Sequence, residues 1–227
     1  MIEKNYGILN LNFIDRLIVK KRSEMLKILE NNIKDFKIQS LLDIGTVDDD
    51  SLKSSNYFIN QFKSIKIKKS ISDQTINNQN FSLCLNKSIT SDFTKDDINN
   101  FKSDLVISSA TLEHVGNYSN QKKMLNNIVN LSKNFFFITT PNRFFPIDFH
   151  TKIPFIHMLP KSMHRYILNF IGLKEYSKEE NLNLLSENNL KNLIKKLKKN
   201  DFIIKIFKIR LFGFTSNLII LGTHKDI

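Results

Sequence analysis

Cysteine occurs once in the 227 residues, at Cys84, and tryptophan not at all. A single thiol cannot close a disulfide within the chain or build a thiolate cluster for zinc or iron–sulfur, and it fits a reducing compartment. Glycine (6) and proline (4) are also scarce, which excludes a low-complexity or disordered chain. No apolar run approaches the roughly 20 residues of a membrane span. Residues Met1 to Asn10 lack the basic-then-apolar pattern of a signal peptide. A cytoplasmic protein without a transmembrane segment is expected.

Apolar residues make up 41% of the chain, enough for a core, and the length suits a single domain over 1–227. The formal net charge is +12. Such a charge attracts nucleic acid, acidic lipid or a phosphorylated sugar. Here the lysines are scattered, as on solvated faces, and only Lys191 to Lys199 is dense.

Apolar spacing predicts an N-terminal helix over 12–34, carried by Ile14, Leu17, Ile18, Met25, Leu26, Leu29 and Ile33. Ile38 to Gly45 reads as a buried strand entering a turn. A helix is expected over Ser51 to Phe62, opened by Asp48, Asp49 and Asp50. Further strands are expected at Ser64 to Ile71, Phe81 to Leu85, Asp104 to Ser108 and Asn134 to Thr139, with a helix at Asn120 to Leu131. Strands alternating with helices imply a doubly wound parallel sheet. The block from about 142 to 180 interrupts that rhythm and reads as an inserted cap. A helix over Ser186 to Lys199 follows. Phe202 to Leu211 and Asn217 to Thr223 are separated by too little chain for a helix, so they pair antiparallel around Gly213. The fold class expected is thus α/β, a mostly parallel seven-stranded sheet ending in an antiparallel hairpin.

Ligands of such sheets bind beyond the carboxyl ends of the strands. The loops there hold Asp43-Ile44-Gly45-Thr46, Ser70 to Asp73, Asn86 to Thr90, Ser108 to His114 and Thr139 to Arg143. Leu41 to Thr46, with its acid and glycine turn, resembles the first motif of class I S-adenosylmethionine-dependent methyltransferases. Asp104 to Val115 resembles the fourth-strand segment of their methyltransferase type 11 group, and Thr140-Pro141-Asn142-Arg143 follows the fifth strand as in many members. The terminal hairpin also matches.

The resemblance implies S-adenosyl-L-methionine as cofactor, bound by Asp43, Ile44, Gly45, Thr46, Ser70, Asp73, Ser88, Ile89, Ser108 and Ser109. Gly45 would let the backbone approach the methionine half, since no Cβ intervenes, and Asp43 would orient the amino group. Ser108 and Ser109 would offer carbonyls to the ammonium. Ile89 would pack on the adenine, and Ser88 would meet its amine. Ser70 aligns with the usual ribose-binding acid, and Asp73 is a substitute three residues on. The family turn carries three glycines where this chain has one.

The implied reaction is methyl transfer to a small-molecule, glycan or lipid-linked acceptor. His150 and His114 are the candidate bases for a hydroxyl acceptor, because histidine titrates near neutral pH. Glu113, Arg143 and His157 are candidate acceptor-binding residues; Arg143 could grip a phosphate or carboxylate with its planar fork. Glu113 and His114 could equally cap a helix. No metal is expected, because no two histidines stand four residues apart on a helix. Segment Ile153 to Leu173, apolar and basic, could rest on a membrane surface or pack as a lid. A non-catalytic binding protein of the same fold is an alternative, given the single glycine. So is an RNA methyltransferase, although the chain has no Asn/Asp-Pro-Pro-Tyr motif. A nicotinamide dehydrogenase would need Gly-x-Gly-x-x-Gly, which is absent. Gly45→Val is expected to abolish cofactor binding and leave the fold intact.

Overall fold

A computed structural model describes residues 11–48, 52–78, 80–197 and 201–227. Seven strands form one sheet: β1 (Ser40–Ile44), β2 (Ile67–Ser72), β3 (Leu83–Asn86), β4 (Ser103–Ser109), β5 (Ser132–Pro141), β6 (Phe202–Leu211) and β7 (Phe214–His224). Their spatial order is β3-β2-β1-β4-β5-β7-β6. The first five strands are parallel, and β7 inserts antiparallel between β5 and β6. This is the expected seven-stranded sheet with its terminal hairpin.

The pleat sends alternate residues to opposite faces, and both faces are apolar. Leu105, Ile107, Phe135 and Phe137 pack beneath α1 (Leu11–Ile33) and α2 (Tyr57–Gln61), against Met25, Leu29 and Phe58. Val106, Phe136 and Ile138 pack on the other face against Met124, Leu125 and Ile128 of α4 (Tyr118–Leu131) and Leu190 and Leu193 of α7 (Glu187–Lys195). Burial on both faces explains the unbroken apolar runs of β4 and β5.

The helix expected over 51–62 is one short turn, α2, entered from Asn56 in the left-handed region at φ 47°. Asp48 accepts a hydrogen bond from the Asn77 N–H (2.8 Å) and so serves the loop after β2. Asp49, Asp50 and Ser51 lie outside the described residues, as do Lys198 and Lys199 and the N-terminal ten. A helix that the apolar spacing does not announce, α3 (Lys95–Phe101), is fixed by a capping box between Thr94 and Asp97.

The segment expected as an inserted cap holds α5 (Lys161–Phe170) and α6 (Lys174–Ser177). A bridge between Asn142 and Leu185 closes it where it leaves and rejoins the sheet. Among the described residues, no helix is long and apolar enough to cross a membrane.

Candidate active site

Strand order reverses between β1 and β4, and the carboxyl ends of the parallel strands open a crevice there. Three hollows fill it, and Ala110 lines all of them. Ala110 takes the left-handed φ of 54° while its N–H donates to the Thr139 carbonyl (2.9 Å). The chain therefore leaves β4 by a sharp turn into the middle of the crevice.

The largest hollow, about 480 Å³, lies over the tips of β1 and β2 and is lined by Gly45, Thr46, Ser72, Asp73, Ser88, Ile89, Thr111 and His114, among others. Gly45 has φ +85°, and a Cβ on it would sit 2.2 Å from Thr111 Oγ1. Thr46 and Val47 do not share the positive φ, so the turn needs only one glycine. Hydroxyls close the rest of it. Thr46 Oγ1 donates to Asp43 Oδ2 (2.7 Å) and accepts from Ser70 Oγ (2.8 Å), while Ser72 Oγ donates to the Thr46 carbonyl (2.8 Å). Asp43 is buried, and burial pushes its carboxyl up to about 6 against the opposing Thr46 hydrogen bond and the charge of Arg22.

A second hollow, about 230 Å³, runs from Asp43, Gly45 and Ser109 to Arg22 of α1 and Asn56. The Arg22 guanidinium donates to the Ser54 carbonyl. Burial lowers its pKa, opposed by the charges of Glu113 and Asp43. Asn56 pins the glycine turn from outside, accepting from the Val47 N–H (3.1 Å) and donating to the Val47 carbonyl (2.7 Å).

The third hollow, about 220 Å³, lies under the cap. Leu17, Ile18, Met25, Pro141, Phe149 and Leu211 make it apolar, with Arg22, Glu113 and His150 at one end. Glu113 is fully buried; its Oε2 accepts from Thr140 Oγ1 (2.9 Å), and its Oε1 has no hydrogen-bond partner. His150 Nδ1 lies 3.0 Å from Asp148 Oδ1, and its Nε2 lies 3.1 Å from His114 Nε2 and 3.8 Å from Glu113 Oε1. Burial favours a neutral Asp148, but hydrogen bonds from His150 and Thr151 outweigh it and hold the carboxyl at about 2. Burial likewise opposes charge on His150, yet Asp148 and Glu113 raise its pKa.

The residues expected from the sequence divide clearly. Asp43, Ile44, Gly45, Thr46, Asp73, Ser88, Ile89 and Ser109 line the first two hollows. Ser70 does not: β2 runs two residues past it, so its side chain is wholly buried against Thr46, and Ser72 and Asp73 stand at the strand tip. Ser108 is also wholly buried, its hydroxyl donating to the Ile44 carbonyl (3.1 Å). Glu113, His114 and His150 converge. Arg143 and His157 lie elsewhere. The Arg143 fork donates to the His157 and Leu159 carbonyls, and His157 is buried with Nε2 on the Phe145 carbonyl (2.6 Å). Both hold the cap's backbone together.

Arg22, Asn56, Ala110 and Thr111 were not among the expected site residues. For Arg22 there was a signal: it falls on the same helical face as Ile18, Met25 and Leu29, where a charge is out of place.

A sheet in the order β3-β2-β1-β4-β5-β7-β6, parallel but for its terminal hairpin, defines the fold of class I S-adenosylmethionine-dependent methyltransferases. Solved structures bear this out. The plantazolicin methyltransferase BpumL in complex with SAH superposes with a TM-score of 0.61 at 12% identity, covering 94% of this chain and 88% of that one. The N-methyltransferase NodS from Bradyrhizobium japonicum WM9, in complex with S-adenosyl-L-homocysteine, gives 0.53 at 10% identity, over 90% and 87%. Magnesium protoporphyrin IX methyltransferase (ChlM) from Synechocystis PCC 6803, with bound SAM, gives 0.52 at 9%, over 97% and 87%. No family model matches the chain, and no curated protein matches it in sequence.

Proposed function

We propose that the chain transfers the methyl group of S-adenosylmethionine to an acceptor seated in the hollow under the cap. The observation that carries this reading is the meeting of three hollows at Ala110. The residues fit the cofactor. Gly45 lines both cofactor hollows with bare backbone, packed on its other side against Thr111, and the buried Asp43 lines one of them. Asp43 would hold the cofactor's ammonium and Arg22 its carboxylate. Asp73 would reach the ribose hydroxyls, Ile89 would flank the adenine and Ser88 its amine. Bound there, the sulfonium supplies an electrophilic methyl group. The chain's own part is alignment and exclusion of water, which can supply much of the rate. Leu17, Ile18, Met25 and Phe149 would dry the acceptor's surroundings, and the cluster of Glu113, His114 and His150 would receive its reacting end.

Titration calorimetry with S-adenosylmethionine is expected to show one site per chain. His150→Ala is expected to lower turnover at unchanged cofactor affinity. No heat at millimolar cofactor would remove the reading, and full activity in the variant would remove His150 from the acceptor side.

Two features favour an acceptor with a large apolar part, a lipid-linked one. The acceptor hollow is mainly apolar, and the cap turns Phe155, Met163, Tyr166 and Phe170 to solvent. Exposed apolar side chains on a chain of net charge +12 suit an anionic lipid surface. Sedimentation with anionic vesicles is expected to carry the protein down, and Phe170→Asp with Tyr166→Asp to release it. Equal sedimentation of both proteins would point to a water-soluble acceptor.

A further inference from the structure

Glu113, His114 and His150 pose a problem of proton count. The Asn181 carbonyl can only accept, so His114 Nδ1, 2.7 Å away, must carry a hydrogen. Asp148 Oδ1 accepts from the backbone N–H of His150 (3.0 Å) and faces His150 Nδ1 at the same distance, which places a hydrogen there too. In the neutral rings both Nε2 atoms are then bare lone pairs, and they face each other at 3.1 Å. Glu113 Oε1, fully buried and without a hydrogen-bond partner, points at the same spot. Three acceptors aimed at one point need a cation between them.

We propose that Glu113 Oε1, His114 Nε2 and His150 Nε2 form a site for one divalent first-row transition-metal ion between the acceptor hollow and the larger cofactor hollow. Two imidazoles and a carboxylate are a ligand set for zinc or non-haem iron that leaves positions open. The three donor atoms lie within 4.8 Å of one another. Tetrahedral coordination at zinc–ligand lengths sets donors about 3.3 Å apart. The 3.1 and 3.8 Å spacings bracket this value, and the third, between His114 Nε2 and Glu113 Oε1, lies within 4.8 Å and closes with an inward turn of the exposed His114. The supporting contacts are those of metal-binding histidines, whose second nitrogen usually donates to a carboxylate or a backbone carbonyl. Asp148 serves His150 in this way, and the Asn181 carbonyl serves His114. No metal was expected from the sequence, which has no two histidines four residues apart; His114 and His150 stand 36 residues apart and meet only in the fold.

The site does not depend on methyl transfer, but its use does. Beside a bound cofactor it favours an acceptor with a hydroxyl oxygen, on which the ion acts as a Lewis acid. The acceptor O–H gives its proton to solvent, the O–CH₃ bond forms, and the sulfonium C–S bond breaks to leave the thioether. His150 is then a ligand and not the base.

The test is direct binding of Co²⁺ and of Zn²⁺ to the full chain, prepared without a histidine tag. One equivalent of Co²⁺ is expected to give visible d–d absorption that Zn²⁺ bleaches. His114→Ala, at an exposed position, and Glu113→Gln, which keeps the Thr140 hydrogen bond, are each expected to weaken binding at least tenfold. Asp148→Asn is expected to weaken it about 10–100-fold through its hold on His150. Absence of the absorption, or unchanged affinity in His114→Ala and Glu113→Gln, would overturn the site and leave a shared proton as the cation. Calorimetry with S-adenosylmethionine on the same metal-free protein reads the cofactor site separately, so failure of one does not entail failure of the other.

Discussion

Gly45→Val is expected to abolish cofactor binding and also to lower the melting temperature by roughly 5–15 °C. The second effect departs from what the sequence suggests, where a glycine turn reads as open ground for a ligand. Two costs act together. Valine at φ +85° is held where L side chains rarely go, at a cost of about 1–3 kcal/mol. Its Cβ would meet Thr111 Oγ1 at 2.2 Å and Cγ2 at 2.8 Å, and overpacking of this kind costs about 1–3 kcal/mol more. Thr111 cannot step aside freely, since its hydroxyl bonds the Ile44 carbonyl (3.3 Å) at the end of β1. The two costs can be separated. Thr111→Ala in the Gly45→Val background removes both close atoms and leaves only Thr111 Cβ, at 3.1 Å. Part of the melting temperature should return, while cofactor binding should not. A single variant that melts like the wild type would show that the loops after β1 and β4 do not touch.

This coupling explains what could and could not be read from the sequence. β4 and β5 were legible because burial on both faces demands continuous apolar runs, such as Leu105 to Ile107 and Phe135 to Ile138, and the hairpin because too little chain separates its strands for a helix. α3 was not, because Phe101 is its one buried residue; its signature is the Thr94–Asp97 box, a local hydrogen-bond pattern with no period. Ser70 was placed at the cofactor by alignment with the family's ribose-binding acid, but the ladder continues two residues past it, to Ser72. A shift of two residues keeps the face but moves the side chain back into the sheet. The single glycine looked like erosion. In the fold, Gly45 alone of the described turn residues takes a positive φ, and Thr46 uses its hydroxyl to join Asp43 to Ser70. His114 and His150 were each legible as chemistry-bearing residues. Their meeting with Glu113 was not, because the proline-rich segment between β5 and α5 sets it and has no period to read.

Asp43→Asn is expected to do the opposite of most substitutions at a buried site: to stabilise the free protein while weakening its hold on S-adenosylmethionine at least tenfold. Burial pushes the Asp43 carboxyl up to about 6, against about 3.9 in an unfolded chain. Between these values the folded state holds the extra proton, so stability falls as pH rises through about 4 to 6. Above that window the ionised carboxylate costs the fold up to about 3 kcal/mol. Asparagine removes the charge, and its carbonyl oxygen can still accept from Thr46. Arg22 loses one counter-charge but keeps those of Glu113 and Asp15. A net gain of about 1–2 kcal/mol should follow, or about 2–4 °C for each kcal/mol in a chain of this size. The gain should be full at pH 7.5 and gone near pH 4, where both proteins carry a neutral group. Melting curves of both proteins across that range, with and without cofactor, measure the two effects together. If the variant melts lower at pH 7.5, or its advantage ignores pH, then Asp43 is a structural partner of Thr46 and its charge is not held in reserve for a cationic ligand. A buried carboxylate that destabilises its own fold, beside a glycine that admits no side chain, is the arrangement expected of a site whose stability is completed by what it binds.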